Sequence, residues 1–241
     1  MSRTIIEEQD GDVLRVLINR PEKRNALDMD MFERLAGLLL RAEHAPDIGA
    51  VVLAGTGDGF CAGHDLQAFA AWPQSPGDPV PRFLHALAGL HKPLVVAVHG
   101  WAVGIGATLL LHADWIICTH DARIHMPFID LEIAPEAGSS LLLAQCIGPA
   151  RAKRMLLAGE PISGQDAYDW GWVTELDTPD HIVDSAVERA ARLATKSSAA
   201  YGRIKRWLSS QYEVRQRIDE EIDAINTALI KRGKANPRRG T

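Results

Sequence analysis

Leu94-Val95-Val96-Ala97-Val98-His99-Gly100-Trp101-Ala102-Val103-Gly104-Ile105-Gly106 is the stretch that decides how this chain folds. Its first five residues form a continuous apolar run bounded by Pro93 and Gly100, too short for a free-standing helix, which reads as a strand buried on both faces. Gly104-Ile105-Gly106 opens a segment of helical spacing over residues 107–113, and residues 115–119 return to an apolar strand pattern. The same alternation extends toward the N-terminus. Residues 4–9 and 13–18 are β-branched runs separated by Asp10-Gly11-Asp12, which predicts a hairpin. Asp28 is placed to cap a helix running through Met31, Leu35, Leu38 and Leu39 that ends before Pro46, and residues 50–54 read as a second buried strand.

Strand, glycine turn, helix and strand recur without any repeat at the sequence level, which predicts an α/β core whose helices cover the sheets. Beyond Ser139 the pattern turns helical, with breaks at Gly148-Pro149, Gly159-Glu160-Pro161, Gly171 and Thr178-Pro179. Residues 199–231 read as one amphipathic, charged helix suited to packing on its own core or on another subunit. The expected division is a core over residues 1–195 and a helical C-terminal region over 196–241, serving the ligand pocket and subunit assembly.

A length of 241 residues corresponds to one or two domains, enough to exclude water from a sizeable site. Twenty-six Lys and Arg against 31 Asp and Glu leave a net charge of −5, so there is no overall basic field to hold nucleic acid or an anionic membrane. Cys61, Cys118 and Cys146 are odd in number, widely spaced and without a CxxC pair, which argues against a disulfide framework or a zinc cluster. With neither a leader-like N-terminus nor a membrane-length apolar run, a cytoplasmic protein is expected.

Two glycine-containing segments follow strands: Phe60-Cys61-Ala62-Gly63-His64-Asp65-Leu66, and the His99–Gly106 stretch already quoted. Backbone N–H groups at a strand-to-helix junction lack intrahelical partners and sit at the positive end of the helix dipole, so two such loops side by side suit a negatively charged oxygen. From spacing alone the same glycines serve equally as tight turns. Leu109 stands where a GxGxxG pattern needs its third glycine, so no dinucleotide fingerprint is present.

These segments, with Arg20-Pro21-Glu22-Lys23-Arg24-Asn25-Ala26-Leu27 and residues 127–148, resemble the enoyl-CoA hydratase/isomerase, or crotonase, superfamily. The resemblance implies a spiral of ββα units with a helical C-terminal region, assembled as a homotrimer or hexamer. It implies an acyl-CoA substrate and no cofactor or metal beyond the coenzyme A that the substrate carries. The thioester oxygen would lie between the backbone N–H groups of His64 and Ile105, and Arg24, Ala26, Ala62, Asp65, Leu66 and Phe128 would line the substrate site. Lys205 would reach a CoA phosphate or else lie on a solvated helix face.

The scaffold hosts several reactions, so side chains must decide among them. Hydratases of this superfamily use two glutamates; the matching positions here are Thr108 and Phe128, which carry no carboxylate. Glu136, in Ile133-Ala134-Pro135-Glu136-Ala137-Gly138-Ser139-Ser140, remains. On its own it reads as a charge favourable to a helix N-terminus. Its setting is similar to that of the peroxisomal type of Δ3,Δ2-enoyl-CoA isomerase and its bacterial relatives, where this glutamate is the catalytic base. Phe128, Ile133, Leu141 and Trp101 are expected around it, and Asp130 and Glu132 at a polar rim, with Asp130 the second candidate acid. Ser139-Ser140 are expected to cap the following helix. His64, His99, His112 and His125 lack metal-ligand spacing, and no GxSxG elbow marks a serine hydrolase. Other reactions of the superfamily, atypical hydration or thioester hydrolysis, and a non-catalytic acyl-CoA-binding module remain as alternatives.

Overall fold

The computed structural model describes residues 4–235. Strands β1 (Ile5–Asp10) and β2 (Val13–Ile18) form the expected antiparallel hairpin, with Ile5 opposite Ile18. Asp28 caps α1 (Met29–His44), accepting from the Met31 N–H at 3.0 Å. There follow β3 (Ala50–Gly55), α2 (Pro79–Gly89), β4 (Leu94–Val98), β5 (Trp101–Val103), α3 (Ile105–Thr108), β6 (Trp115–Cys118) and β7 (Arg123–His125). The helical half comprises α4 (Ser139–Ile147), α5 (Pro149–Leu157), α6 (Gly164–Asp169), α7 (Ile182–Ala194), α8 (Ser198–Leu208) and α9 (Gln211–Ala235), with the short strands β8 (Ile162–Ser163) and β9 (Glu175–Leu176) between them.

The larger sheet has the order β1-β2-β3-β4-β6-β9, parallel from β2 onward; the smaller is β5-β7-β8. Strands β3 and β4 are buried along their whole length because both faces are covered. Alternate side chains go to opposite layers. Ala50, Val52, Ala54, Val95 and Ala97 meet Ile182, Ala186 and Ala190 of α7, a face of small residues that lets the helix approach closely. Val51, Leu53, Leu94, Val96 and Val98 face the main core with Phe32 and Leu35 of α1 and Leu84 of α2.

Successive segments alternate between the two sheets. The chain leaves β4 for β5 and then enters α3; it leaves β6 for β7 and runs on to α4. After β3 it does the same in miniature, Cys61 bridging Ala102 of β5 in parallel. These are the turns of the expected ββα spiral, and they bring the chain just beyond Cys61 alongside the exit of β5.

Two helical expectations differ from the structure. Over residues 107–113, α3 stops at Thr108 and a 3-10 turn, Leu109–His112, tightens the path into β6. The single helix expected over 199–231 is broken at Ser209-Ser210, where Ser210 has φ 45°. A straight helix would leave the core; the elbow turns α9 so that Val214, Ile218, Ile222 and Ile225 are buried. Among the described residues, no helix is long and apolar enough to cross a membrane.

Candidate active site

The first loop is held from below by the segment preceding α1. Arg20 bonds Asp65 at 2.7 Å and the Ala26 carbonyl at 3.2 Å. Buried Asn25 donates to the carbonyls of Thr56 and Gly59 and accepts from Arg20 N. Leu27 then spans His64: its N–H donates to Gly63 O and its carbonyl accepts from Asp65 N, both at 2.8 Å. The neighbours of His64 are thereby engaged, while its own N–H has no acceptor among the described residues. Gly63, at φ 97°, sets the direction of that peptide in a conformation L side chains rarely adopt.

The second loop is built the same way. Gly104 donates to His125 O and accepts from Ala107 and Thr108 N, while the next N–H, that of Ile105, is the first of α3 and has no acceptor among the described residues. Gly104 has φ 55° and ψ −121°. The two loops touch: a Cβ on Gly63 would lie 2.9 Å from Val103 O and 3.8 Å from the Gly104 Cα. Unpaired amides on two touching loops are the kind of donors that a developing oxyanion requires.

Beside them is a cavity of about 200 Å³, lined mostly by apolar groups that include Phe69, Trp72, Phe128, Leu131, Ile133 and Ile225. Glu136 stands on its wall, its side chain 3% exposed. It is the only carboxylate among the described lining residues. Its Oε2 lies 2.9 Å from His64 Nε2, and its Oε1 is buried without a hydrogen-bond partner. Glu136 owes its place to the turn it begins, in which Ala137 and Gly138 take φ 63° and 70°. His112, half-buried, donates from Nε2 to Ala137 O at 2.7 Å. Burial pushes the His112 imidazole down to about 4.

The expected Ser139-Ser140 cap is not formed. Gly138 occupies the N-cap position, and Glu221, reaching across from α9, accepts from Gly138 N at 2.6 Å and Ser140 N at 3.0 Å. A long-range carboxylate thus fills the anion site at the start of α4, where the serine hydroxyls were expected. Ser139 Oγ is buried and unpaired, and Ser140 Oγ accepts from Arg217. Burial pushes the Glu221 carboxyl up to about 7, against the lowering effect of its bonds from Ser140 and Gly138, with Glu136 adding to the rise. Glu221 escaped sequence reading, although an acidic residue on the buried stripe of Val214, Ile218 and Ile225 was a visible signal.

Of the other expected site residues, Ala62, His64, Leu66 and Phe128 line the cavity, and Leu66 is 76% exposed at its mouth. Arg24 lies outside it, with its guanidinium 5.7 Å from the Trp101 ring centre. Ala26 meets Arg20 through its carbonyl. The Asp65 carboxylate is occupied by Gln67 N and Arg20, which together hold its pKa low, so it braces the loop and starts the 3-10 turn Leu66–Ala71. Thr108 is buried with Oγ1 unpaired. Ile133 is at the cavity as expected, whereas Trp101 packs against Gly59 and bonds Arg24 O, and Leu141 is not among the lining residues. Asp130 is exposed and Glu132 pairs with Arg232, so neither reaches the cavity. The four histidines keep separate partners: Glu136, Gly57 O, Ala137 O and Gly159 O.

Lys205 does not stand free for a phosphate. Its Nζ bonds Asp114 and the Lys92 carbonyl, tying α8 to the starts of β4 and β6, while Asp114 also accepts from Leu94 N. A larger cleft, about 390 Å³, lies there between α2, α4 and the elbow. Its one acidic lining residue, Asp114, is paired with Lys205, so the smaller cavity is the candidate site.

The enoyl-CoA hydratase/isomerase family model matches residues 8–232. The chain is similar to the 1,2-epoxyphenylacetyl-CoA isomerase of Escherichia coli, 34% identical over 87% of this chain and 83% of the relative. It is also similar to the carnitinyl-CoA dehydratase of Proteus mirabilis, 30% identical over 96% and 89%. Among solved structures, Pseudomonas aeruginosa OdaA superposes with a TM-score of 0.90 at 35% identity, covering 99% of this chain and 100% of that one. By sequence and by fold, the chain belongs to the enoyl-CoA hydratase/isomerase family.

Proposed function

We propose that this chain is a Δ3,Δ2-enoyl-CoA isomerase, moving the double bond of a 3-enoyl-CoA to the 2-position. One observation carries the reading: a buried carboxylate, Glu136, on an apolar cavity lined by His64, whose N–H is unpaired, and by Gly104, which precedes the unpaired N–H of Ile105. The names of the relatives, an isomerase and a dehydratase of CoA thioesters, support the substrate class. No cofactor is needed beyond the substrate's own coenzyme A, whose pantetheine would pass the mouth near Arg24, Ala26, Ala62, Asp65 and Leu66.

One base is sufficient for this reaction. The C2 protons of a 3-enoyl thioester are acidified by both carbonyl and alkene, and removing one gives a dienolate whose oxygen charge the two amides stabilise. The resulting carboxylic acid returns the proton to C4. Hydration asks for a second group to manage water, and Phe128 fills that position with hydrocarbon. The exposed Trp207, Leu208 and Tyr212 around the α8–α9 elbow support the homo-oligomer that the family resemblance implies.

Purified protein given a 3-enoyl-CoA is expected to generate the ultraviolet absorbance of the conjugated 2-enoyl thioester. Glu136→Gln is expected to lower kcat by about 10²–10⁴-fold, the range typical of a lost general base, with a much smaller change in KM. Equal turnover by the variant removes Glu136 from the reaction. Release of free CoA by the unmodified chain, read with a thiol reagent, or formation of a hydroxyacyl-CoA without isomer, replaces isomerisation with hydrolysis or hydration.

A further inference from the structure

His64 presents two groups to the site, and only its backbone N–H is used in the reading above. Its imidazole Nε2 lies 2.9 Å from Glu136 Oε2, across 72 residues of sequence, with both side chains almost wholly buried. An ionised carboxylate is an acceptor only, so the proton of this bond belongs to Nε2. Nδ1 is buried with no partner, so a proton there would have no acceptor. Aromatic rings fix the plane of the imidazole: Phe32 at 4.7 Å, Phe69 at 5.3 Å and Trp72 at 6.2 Å between centres. The result is an asymmetric carboxyl, with Oε2 tied down and Oε1 unpaired.

We propose that the His64 imidazole is a positioning residue, holding Oε2 of Glu136 so that Oε1 alone exchanges a proton with the substrate. The inference rests on Glu136 being the proton-transfer group. Oε1 takes the C2 proton, and the C2–H electron pair becomes the C1–C2 π bond of the dienolate as the carbonyl π pair moves onto the thioester oxygen. In the return step the carbonyl re-forms, the C1–C2 pair becomes the C2–C3 π bond, and the C3–C4 pair takes the proton from Oε1 at C4. Oε2 is a carboxylate oxygen before the first step and the carbonyl oxygen of the acid after it, and it accepts the same Nε2–H in both states. The imidazole neither gains nor loses a proton, so nothing need reorient between the two transfers. Two other titratable groups feel the charge of Glu136: the Cys61 thiol, which burial pushes up to about 12, and the Glu221 carboxyl.

Two substitutions of similar bulk separate donation from packing. His64→Leu keeps the backbone N–H and removes the side-chain donor; His64→Gln keeps an N–H able to reach Oε2. His64→Leu is expected to lower kcat about 10–100-fold with KM within about threefold, and His64→Gln to recover at least tenfold of that loss, the scale associated with a misplaced catalytic group. Nitrogen NMR of the unmodified chain is expected to show His64 protonated at Nε2 and bare at Nδ1. Equal kcat values for the two variants, or a proton on Nδ1, overturn the proposal. If neither variant folds, the tautomer decides it. A chain with the expected tautomer that leaves 3-enoyl-CoA unchanged defeats the isomerase reading, whereas an active chain indifferent to the His64 donor defeats only this inference.

Discussion

Each unpaired amide in the site depends on the residue before it. Gly104 is the cleaner case, because a Cβ there meets nothing closer than the Gly63 Cα at 3.8 Å, while its φ of 55° with ψ of −121° strains any L side chain. Gly104→Ala therefore tests peptide direction without a steric clash. The strain, about 1–3 kcal/mol, is relieved most directly by rotating the Gly104–Ile105 peptide, which turns the Ile105 N–H away. The expected outcome is a fall in kcat of about 10²–10³-fold, the cost of one oxyanion donor, with circular dichroism unchanged. Unaltered kcat would take the Ile105 amide out of the reaction. Glycine loops are legible in sequence because their function needs only a backbone. The His64–Glu136 pair was not: a contact across 72 residues is encoded by the stacking of two spiral turns and leaves no local spacing to read.

At the scale of elements, the junction between α4 and α9 shows how a helix start can be misread. Ser139-Ser140 carry the composition of a cap, yet the left-handed pair Ala137-Gly138 directs the turn's N–H groups to a carboxylate on another helix. Local propensity lost to a tertiary partner, Glu221, whose two carboxyl oxygens satisfy two donors at the helix start. The exchange has a pH signature. The folded Glu221 carboxyl is raised to about 7 from 4.5, so between those values the folded chain holds more protons than the unfolded one. Stability from this group is therefore fully present below pH 4.5 and falls as pH rises toward 7, by roughly 3 kcal/mol in all. His112 has the opposite sign: its imidazole is depressed to about 4 from 6.5, so its contribution is present above 6.5 and is lost as pH falls toward 4. Subtracting Glu221→Gln from the unmodified chain isolates the first effect. The difference in melting temperature between the two is expected to move in favour of the variant as pH rises from 5 to 7.5; a pH-independent difference would show that Glu221 does not titrate there.

Over the whole molecule, residues on both sides of the expected division at residue 195 pack into one core. Val214, Ile218 and Ile222 of α9 belong to the same core cluster as Leu14, Phe32 and Val96, and Ile225 closes the wall of the cavity. Asn226 exchanges hydrogen bonds with the Gln74 backbone, fastening α9 to the loop before α2. Amphipathic spacing revealed that this segment had a buried face; the elbow at Ser209-Ser210, set by the need to turn that face inward, chose what it covers. A terminal helix used only for subunit assembly would be removable at the expense of oligomeric state alone. Here, ending the chain at Ser209 strips Glu221 from the turn that carries Glu136 and opens the apolar cavity to water. The truncated chain is expected to bind a hydrophobic dye, melt well below the full chain and give no detectable isomerisation even at concentrations that would drive assembly. A truncated monomer that kept its melting temperature and turned over 3-enoyl-CoA would place the catalytic unit wholly within the spiral.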